Sequence, residues 1–225
     1  MYSFDDKQQR ILETLITVYP ALSESAQSIR DAVKLCSESF ENGGRLYICG
    51  NGGSAADSAH ITGELMKSFK FHRGCPAKLK ASLSSLGDKS GGNMSQLCAA
   101  LTGKLEGALP AYQLTESSAL MTAVANDSSA DMIFAQQLCG YARPGDVLLA
   151  LTTSGNSKNC IYAALTAAAA GAAVISMTGE GGGEIAKLSE VSIKVPAHET
   201  YAVQEYHLPV YHAFCAMLES YFFGM

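Results

Sequence analysis

The feature that most constrains this chain is a repeated transition, in which a short apolar run opens at once into a polar loop. "RLYICG" at 45–50 runs into "NGGSAADSAH", "DVLLALT" at 146–152 into "TSGNSKN", and "AAVISMT" at 172–178 into another glycine-rich stretch. Apolar runs this short, with no polar alternation, read as strands covered on both faces. "VSIKV" at 191–195 is a further strand. Between the second and third strands, "NCIYAALTAAAAG" is alanine-rich and helical, and Gly171 closes it. Strands alternating with helices of this length imply parallel βαβ units. The expected fold is therefore α/β, a three-layer doubly wound parallel sheet.

Ahead of the first strand, apolar residues recur at helical spacing from Asp5 to Asn42. Pro20 divides this region into two helices, and Gly43-Gly44 ends the second. The last 20-odd residues form a long apolar helix. Residues 70–118 follow the pattern least: "SSLGDKSGGN" reads as loop and "MSQLCAALTGKLEGAL" as helix, an insertion or lid over the sheet. No repeat or disordered linker interrupts the chain, so a single domain is expected over 1–225. Its N-terminal helices occupy 1–44 and its α/β core 45–225.

Hydrophobic residues make up 48% of the 225 and charged residues only 16%, so much of the chain is buried in the fold or between subunits. The net charge of −5, with no basic run, argues against nucleic acid and against a polybasic membrane patch. No apolar stretch is long and unbroken enough for a bilayer. Seven cysteines without CxxC spacing, and no signal peptide, lead to the expectation of a reducing cytoplasm.

In open parallel sheets, ligands collect at the carboxyl ends of the strands. Two loops there have anion-binding chemistry. Gly50-Asn51-Gly52-Gly53-Ser54 lets backbone approach a ligand, and the next helix presents unpaired N–H groups. Thr152-Thr153-Ser154-Gly155-Asn156-Ser157 offers hydroxyls and a second helix start. Tight turns with Ser or Thr caps and no ligand are the competing account of either loop alone. Neither loop reads GxGxxG and no Walker lysine follows, which argues against NAD and ATP.

"GNGGSAADSAHITGEL", "LALTTSGNSKN" and "VQEYHLPVYH" together resemble the signature segments of the phosphoheptose isomerases, within the sugar isomerase (SIS) domain family. The resemblance implies an aldose–ketose isomerase that converts sedoheptulose 7-phosphate to D-glycero-D-manno-heptose 7-phosphate, and a homotetramer. It places the phosphate on Ser54, Thr152, Thr153, Ser154 and Ser157, with Asn51, Gly52 and Gly53 beside it. Asn126-Asp127 resembles an element near the sugar hydroxyls, and a turn with an Asx cap accounts for it equally well.

His60 and Glu64 are four apart and share a helix face; Gln204 and His212, eight apart, lie near one face of the last helix. Isomerisation needs a base that moves a proton between neighbouring carbons and an acid that manages the oxygen protons of the enediol. By similarity Glu64 takes the first role and His212 the second, with Glu64 expected near a helix start, where the dipole favours its charge. His60, Glu64, Gln204 and His212 are also a plausible zinc set, and some relatives carry zinc there. The alternatives are a solvated His60–Glu64 surface pair and a core His212.

The chain departs from the family pattern at several points. Ser68 stands where an arginine is usual, with Lys67 and Lys70 nearby, and Tyr201 where an aspartate is common. Pro209 lies between Gln204 and His212 and is expected to bend the helix. Competing functions are isomerisation of another sugar phosphate, and a non-catalytic SIS module that senses a sugar phosphate or binds a protein. Retention of Glu64, Gln204 and His212 together favours catalysis.

Overall fold

The computed structural model describes residues 4–224. Five strands, all parallel, form one sheet: β1 Leu46–Gly50, β2 Ala111–Gln113, β3 Val147–Leu151, β4 Ala173–Thr178 and β5 Val191–Lys194, in the order β2-β1-β3-β4-β5. Nine α-helices accompany it among the described residues: α1 Asp6–Val18, α2 Ala26–Glu41, α3 Gly53–Met66, α4 Ala77–Ser90, α5 Gly92–Lys104, α6 Ser118–Asp127, α7 Ile133–Tyr141, α8 Lys158–Ala169 and α9 Thr200–Phe223.

β1 and β3 are buried along their whole length, as their unbroken apolar runs predict. Leu46, Ile48, Leu149, Leu151, Ile175 and Met177 pack against one layer, with Leu12, Ile29, Ile61, Val210 and Phe214 from α1, α2, α3 and α9. The alternate residues Tyr47, Cys49, Leu148, Ala150 and Val174 meet Phe134, Leu138, Cys160 and Ala163 from α7 and α8. The alanine run of α8 lets that helix lie close on the sheet. The result is the expected three-layer architecture.

The chain leaves β1 toward the β2 edge and returns on the other side as β3. The sheet therefore reverses its strand order between β1 and β3, and both polar loops emerge at that point. A crevice opens there because the following helices diverge to opposite faces.

Residues 70–118 are not simply a lid. Ala111–Gln113 is a strand of the sheet, too short for its pattern to show, since only Ala111 of the three is buried. "SSLGDKSGGN" lies mostly in α4, which continues to Ser90; the turn is made by Gly91 and Gly92, with φ of 63° and 52°. α5 ends at Lys104, short of the helix expected through Leu109. α1 begins with a reciprocal cap, Asp5 Oδ1 accepting from Gln8 N (2.8 Å) and Gln8 Oε1 from Asp5 N (3.1 Å). Pro20 opens a short 3-10 helix, Pro20–Ser25, between α1 and α2. Pro209 stands inside α9 without ending it.

Candidate active site

The two loops come together over the switch point. A cavity of about 290 Å³ lies between Asn51–Ser54, Leu151–Thr153, Ser157 and, from the first turns of α9, Thr200 and Gln204. Gly52 takes φ 54° and ψ −120° just before α3, a conformation that a side chain would strain. A Cβ on Gly53 would meet the Gln204 amide at 2.7 Å, so glycine lets α9 close over the loop. The loops are tied by a reciprocal pair, Asn51 Nδ2 to Asn159 Oδ1 (2.9 Å) and Asn159 Nδ2 to Asn51 Oδ1 (2.8 Å). Asn51 thus holds the two loops in register. Ser157 precedes α8, and its hydroxyl accepts from Thr152 Oγ1 at 3.1 Å. Two helix starts, α3 and α8, face one small polar space, which suits an anion.

Ser154 is placed differently. It is exposed, its Oγ accepts from Asn156 N (3.2 Å), and it does not line the cavity. Asn126 and Asp127 end α6, exposed, with Asn126 Nδ2 on Asp127 Oδ1 (2.8 Å), and they too lie outside the cavity lining.

The titratable cluster stands further along the same two helices. Gly53 lies beside Gln204 and His60 beside Tyr211, so α3 and α9 run parallel. His60 Nε2 is 3.1 Å from Glu64 Oε1, and its Nδ1 is 3.0 Å from the Tyr211 hydroxyl. Tyr211 donates in turn to Asp57 Oδ1 at 3.3 Å. The His212 ring stands edge-on to His60, with centroids 5.0 Å apart, and against Phe69. Burial, together with the nearby His60 and only partly offset by Glu64, lowers the His212 pKa, so its imidazole is neutral near pH 7. Burial likewise raises the Asp57 carboxyl above its usual range, against the hydrogen bond from Tyr211. Asp57 and Tyr211 were not singled out from the sequence. Their signal was there: 57, 60 and 64 follow helical spacing, and Tyr211 adjoins His212.

Glu64 corrects one expectation. It lies in the last turn of α3, not near its start, so the helix dipole there disfavours a carboxylate. That end of the helix is capped by a buried arginine. Arg73 Nη2 donates to the Glu64 carbonyl (2.8 Å) and Nη1 to the Leu65 carbonyl (2.6 Å), capping the end of α3. Arg73 Nε meets Glu219 Oε1 at 2.8 Å, and both side chains are fully buried. The Glu219 carboxylate also accepts from the backbone of Phe69 (2.8 Å) and Lys70 (2.7 Å). Ser68, at the usual arginine position, instead accepts from Arg73 N at 2.9 Å and shapes this turn. Lys70 and Arg10 line, together with His212, a groove of about 440 Å³ between α1 and α9.

The zinc set does not assemble within one chain. Gln204 sits at the loop cavity, eight residues or about 12 Å of helix from His212. Both ring nitrogens of His60 are already hydrogen-bonded. Among the described residues, no three His, Cys, Asp or Glu side chains converge on a metal position.

Comparison with known proteins gives the family. The SIS domain family model matches residues 11–89 and 98–179. The phosphoheptose isomerase of Akkermansia muciniphila is 34% identical over 92% of each chain, and that of Rhodospirillum rubrum 33% identical over 96% of this chain and 97% of its own. The chain belongs to the phosphoheptose isomerase family. Two solved members superpose well. The Francisella tularensis phosphoheptose isomerase has a TM-score of 0.70 at 28% identity, over 96% of this chain and 97% of its own. The enzyme from Neisseria gonorrhoeae has a TM-score of 0.68 at 29%, over 95% and 98%. This chain is accordingly an enzyme, a phosphosugar isomerase. No helix among its described residues is long and apolar enough to cross a membrane.

Proposed function

We infer that the substrate is sedoheptulose 7-phosphate, isomerised to the aldoheptose 7-phosphate through an enediol, with Glu64 and His212 moving the protons. The observation that carries this reading is the gathering of Glu64, His60 and His212 where α3 and α9 run side by side. Glu64 takes the proton from the carbon beside the carbonyl and returns it to the neighbouring carbon. The neutral His212 imidazole exchanges protons with the two oxygens. His60, held between Tyr211 and Glu64, orients the carboxylate. Ser54, Thr152, Thr153, Ser157 and the starts of α3 and α8 anchor the phosphate, with Ser154, Asn126 and Asp127 in supporting roles from outside the cavity. Incubating the protein with sedoheptulose 7-phosphate in deuterium oxide tests the reading. Aldose should form with deuterium at the carbon beside the carbonyl, and no exchange with any heptose phosphate would overturn it.

We further propose a homotetramer whose active site is completed between chains. Ser54 and Glu64 are ten residues apart on α3, about 15 Å along its axis, so the anion cavity and the base of one chain are widely separated. The groove between α1 and α9 is apolar and opens on the exposed Val18 and Tyr19, which suits burial by a second copy. Zinc belongs to the proposal only as an ion held by side chains of two copies, because Gln204 of the same chain is remote from His212. Metal analysis of the purified protein, with activity before and after chelation, tests that part. The seven cysteines are all thiols, five of them buried, which supports a reducing cytoplasm.

A further inference from the structure

The mechanism leaves the glycine-rich stretch after β4 without a role. Gly179-Glu180-Gly181-Gly182-Gly183-Glu184 connects β4 to a short 3-10 helix, Ile185–Leu188. Like the two loops of the anion cavity, it leaves the carboxyl end of a parallel strand. It does not line that cavity; it packs against the hydroxyl loop at 152–157. Backbone meets backbone there. A Cβ on Gly155 would overlap the Gly182 carbonyl, and one on Gly183 would come within 2.5 Å of the Gly155 carbonyl carbon. Gly155 and Gly183 both take left-handed φ, 69° and 60°, which a side chain would strain.

Hydrogen bonds stitch the two loops together along this contact. Gly179 N donates to Thr153 O (3.0 Å) and Ile185 N to Gly155 O (3.0 Å). Glu184 N donates to Asn156 Oδ1 at 3.0 Å. Thr152 and Ser157, which share a hydroxyl hydrogen bond and line the cavity, bracket the residues that are tied down. Such bracing matters because of what the cavity lacks. Among the described residues no lysine, arginine or histidine lines it. A phosphate there has only hydroxyls and amides to meet it. Neutral donors hold an anion well when they are already in place, because ordering a loop on binding subtracts from affinity.

We propose that the 179–184 loop positions the hydroxyl loop for the substrate phosphate, with Gly183 and Asn156 as the positioning residues. The inference rests on the reading that the loop cavity takes the phosphate. Neither residue touches the substrate; both act through Thr153 and Ser157. Gly183 sets how closely the two backbones approach, and Asn156 carries the one side-chain bond between the loops.

Inorganic phosphate is the probe, with binding to the full chain followed by calorimetry. Gly183→Ala forces the two backbones apart and should weaken phosphate about tenfold or more, as loss of one hydrogen bond to an anion does. Asn156→Ala removes the ties to Glu184 N and to Ser154 O, and should weaken it about threefold. Gly181→Ala, where an added Cβ meets nothing within 4 Å, should bind as the native protein does. In the first two variants the amides of 153–157 should exchange faster with solvent, while β1 and β3 stay as protected as before. KM for sedoheptulose 7-phosphate should rise with kcat within about threefold of native, since the reacting groups on α3 and α9 are untouched. Native phosphate affinity in either variant, with Ser157→Ala impaired, would overturn the proposal and leave the phosphate reading standing. An equal loss in Gly181→Ala would overturn it too. Native affinity in Ser157→Ala as well, or no binding to the unmodified protein, would remove the reading beneath it. If Gly183→Ala costs β1 and β3 their protection, Asn156→Ala decides alone: weaker phosphate supports the brace and native affinity overturns it.

Discussion

At the residue scale, the chemistry turns on a few side chains whose surroundings set their protonation. Glu64→Gln keeps shape and reach but removes the basicity. It should abolish both isomerisation and solvent-proton exchange, while sugar-phosphate binding, followed by calorimetry, stays largely intact. His212→Asn should cost about two orders of magnitude in kcat, the usual scale for a positioned acid or base. Near-native turnover of Glu64→Gln would rule out the proposed base. His207, unassigned from the sequence, raises a different matter. It is wholly buried on α9, its ring nitrogens have no partner of good hydrogen-bond geometry beyond a loose contact with the Thr178 backbone, and burial pushes its pKa down to about 4. The backbone of Thr178 opposes that shift only in part. The folded pKa is below the unfolded value near 6.5, so the unfolded chain binds the extra proton between them. Stability is therefore full above about pH 6.5 and falls by about 3 kcal/mol as pH drops to 4. Urea unfolding at pH 7.5 and at pH 4.5 should show a much smaller difference in His207→Leu than in the native protein.

At the scale of elements, the βα transitions were legible because buried strands of a parallel sheet must be continuously apolar and must end where helices begin. β1, β3, β4 and β5 follow that rule within a residue or two. β2 did not, because a three-residue edge strand with Tyr112 exposed carries no pattern. The loop residues were legible through their glycines and hydroxyls, but their directions were not: Ser154 turns out to solvent while Ser157 turns in. Sequence also could not show that Arg73 and Glu219, 146 residues apart, clamp the end of α3 onto α9. That clamp is testable. Arg73→Ala leaves the Glu219 carboxylate buried without its cation and the Glu64 carbonyl without the Arg73 donor, while Leu65 O keeps only Leu109 N. Breaking one side of a buried pair costs about 3–5 kcal/mol. Urea denaturation should register a loss of that order, and a change below about 1 kcal/mol would show that the clamp is dispensable. Replacing both partners with apolar groups should not restore stability, because Glu219 also satisfies the backbone of Phe69 and Lys70.

At the scale of the whole molecule, the question is how an anion site and a proton-transfer site on one helix serve a single substrate. The loop cavity stands at the first turn of α3 and Glu64 in its last. A side chain on a helix leans toward the N-terminus, which shortens the gap by only part of its length. If loops from one chain and Glu64 from another form each site, two inactive chains should rescue one another. One chain would carry Ser54→Ala, Thr153→Val and Ser157→Ala, which removes hydroxyls from the phosphate cavity. The other would carry Glu64→Gln. Each alone should be nearly inactive. Unfolding and refolding them together, so that subunits mix, should restore a substantial fraction of native activity, because some sites then combine intact loops with an intact base. Sedimentation should show the same tetramer for both chains and for the mixture. If the mixed tetramer forms but stays as inactive as its parents, each site belongs to one chain. The phosphosugar must then lie extended along α3 to reach from Ser54 to Glu64.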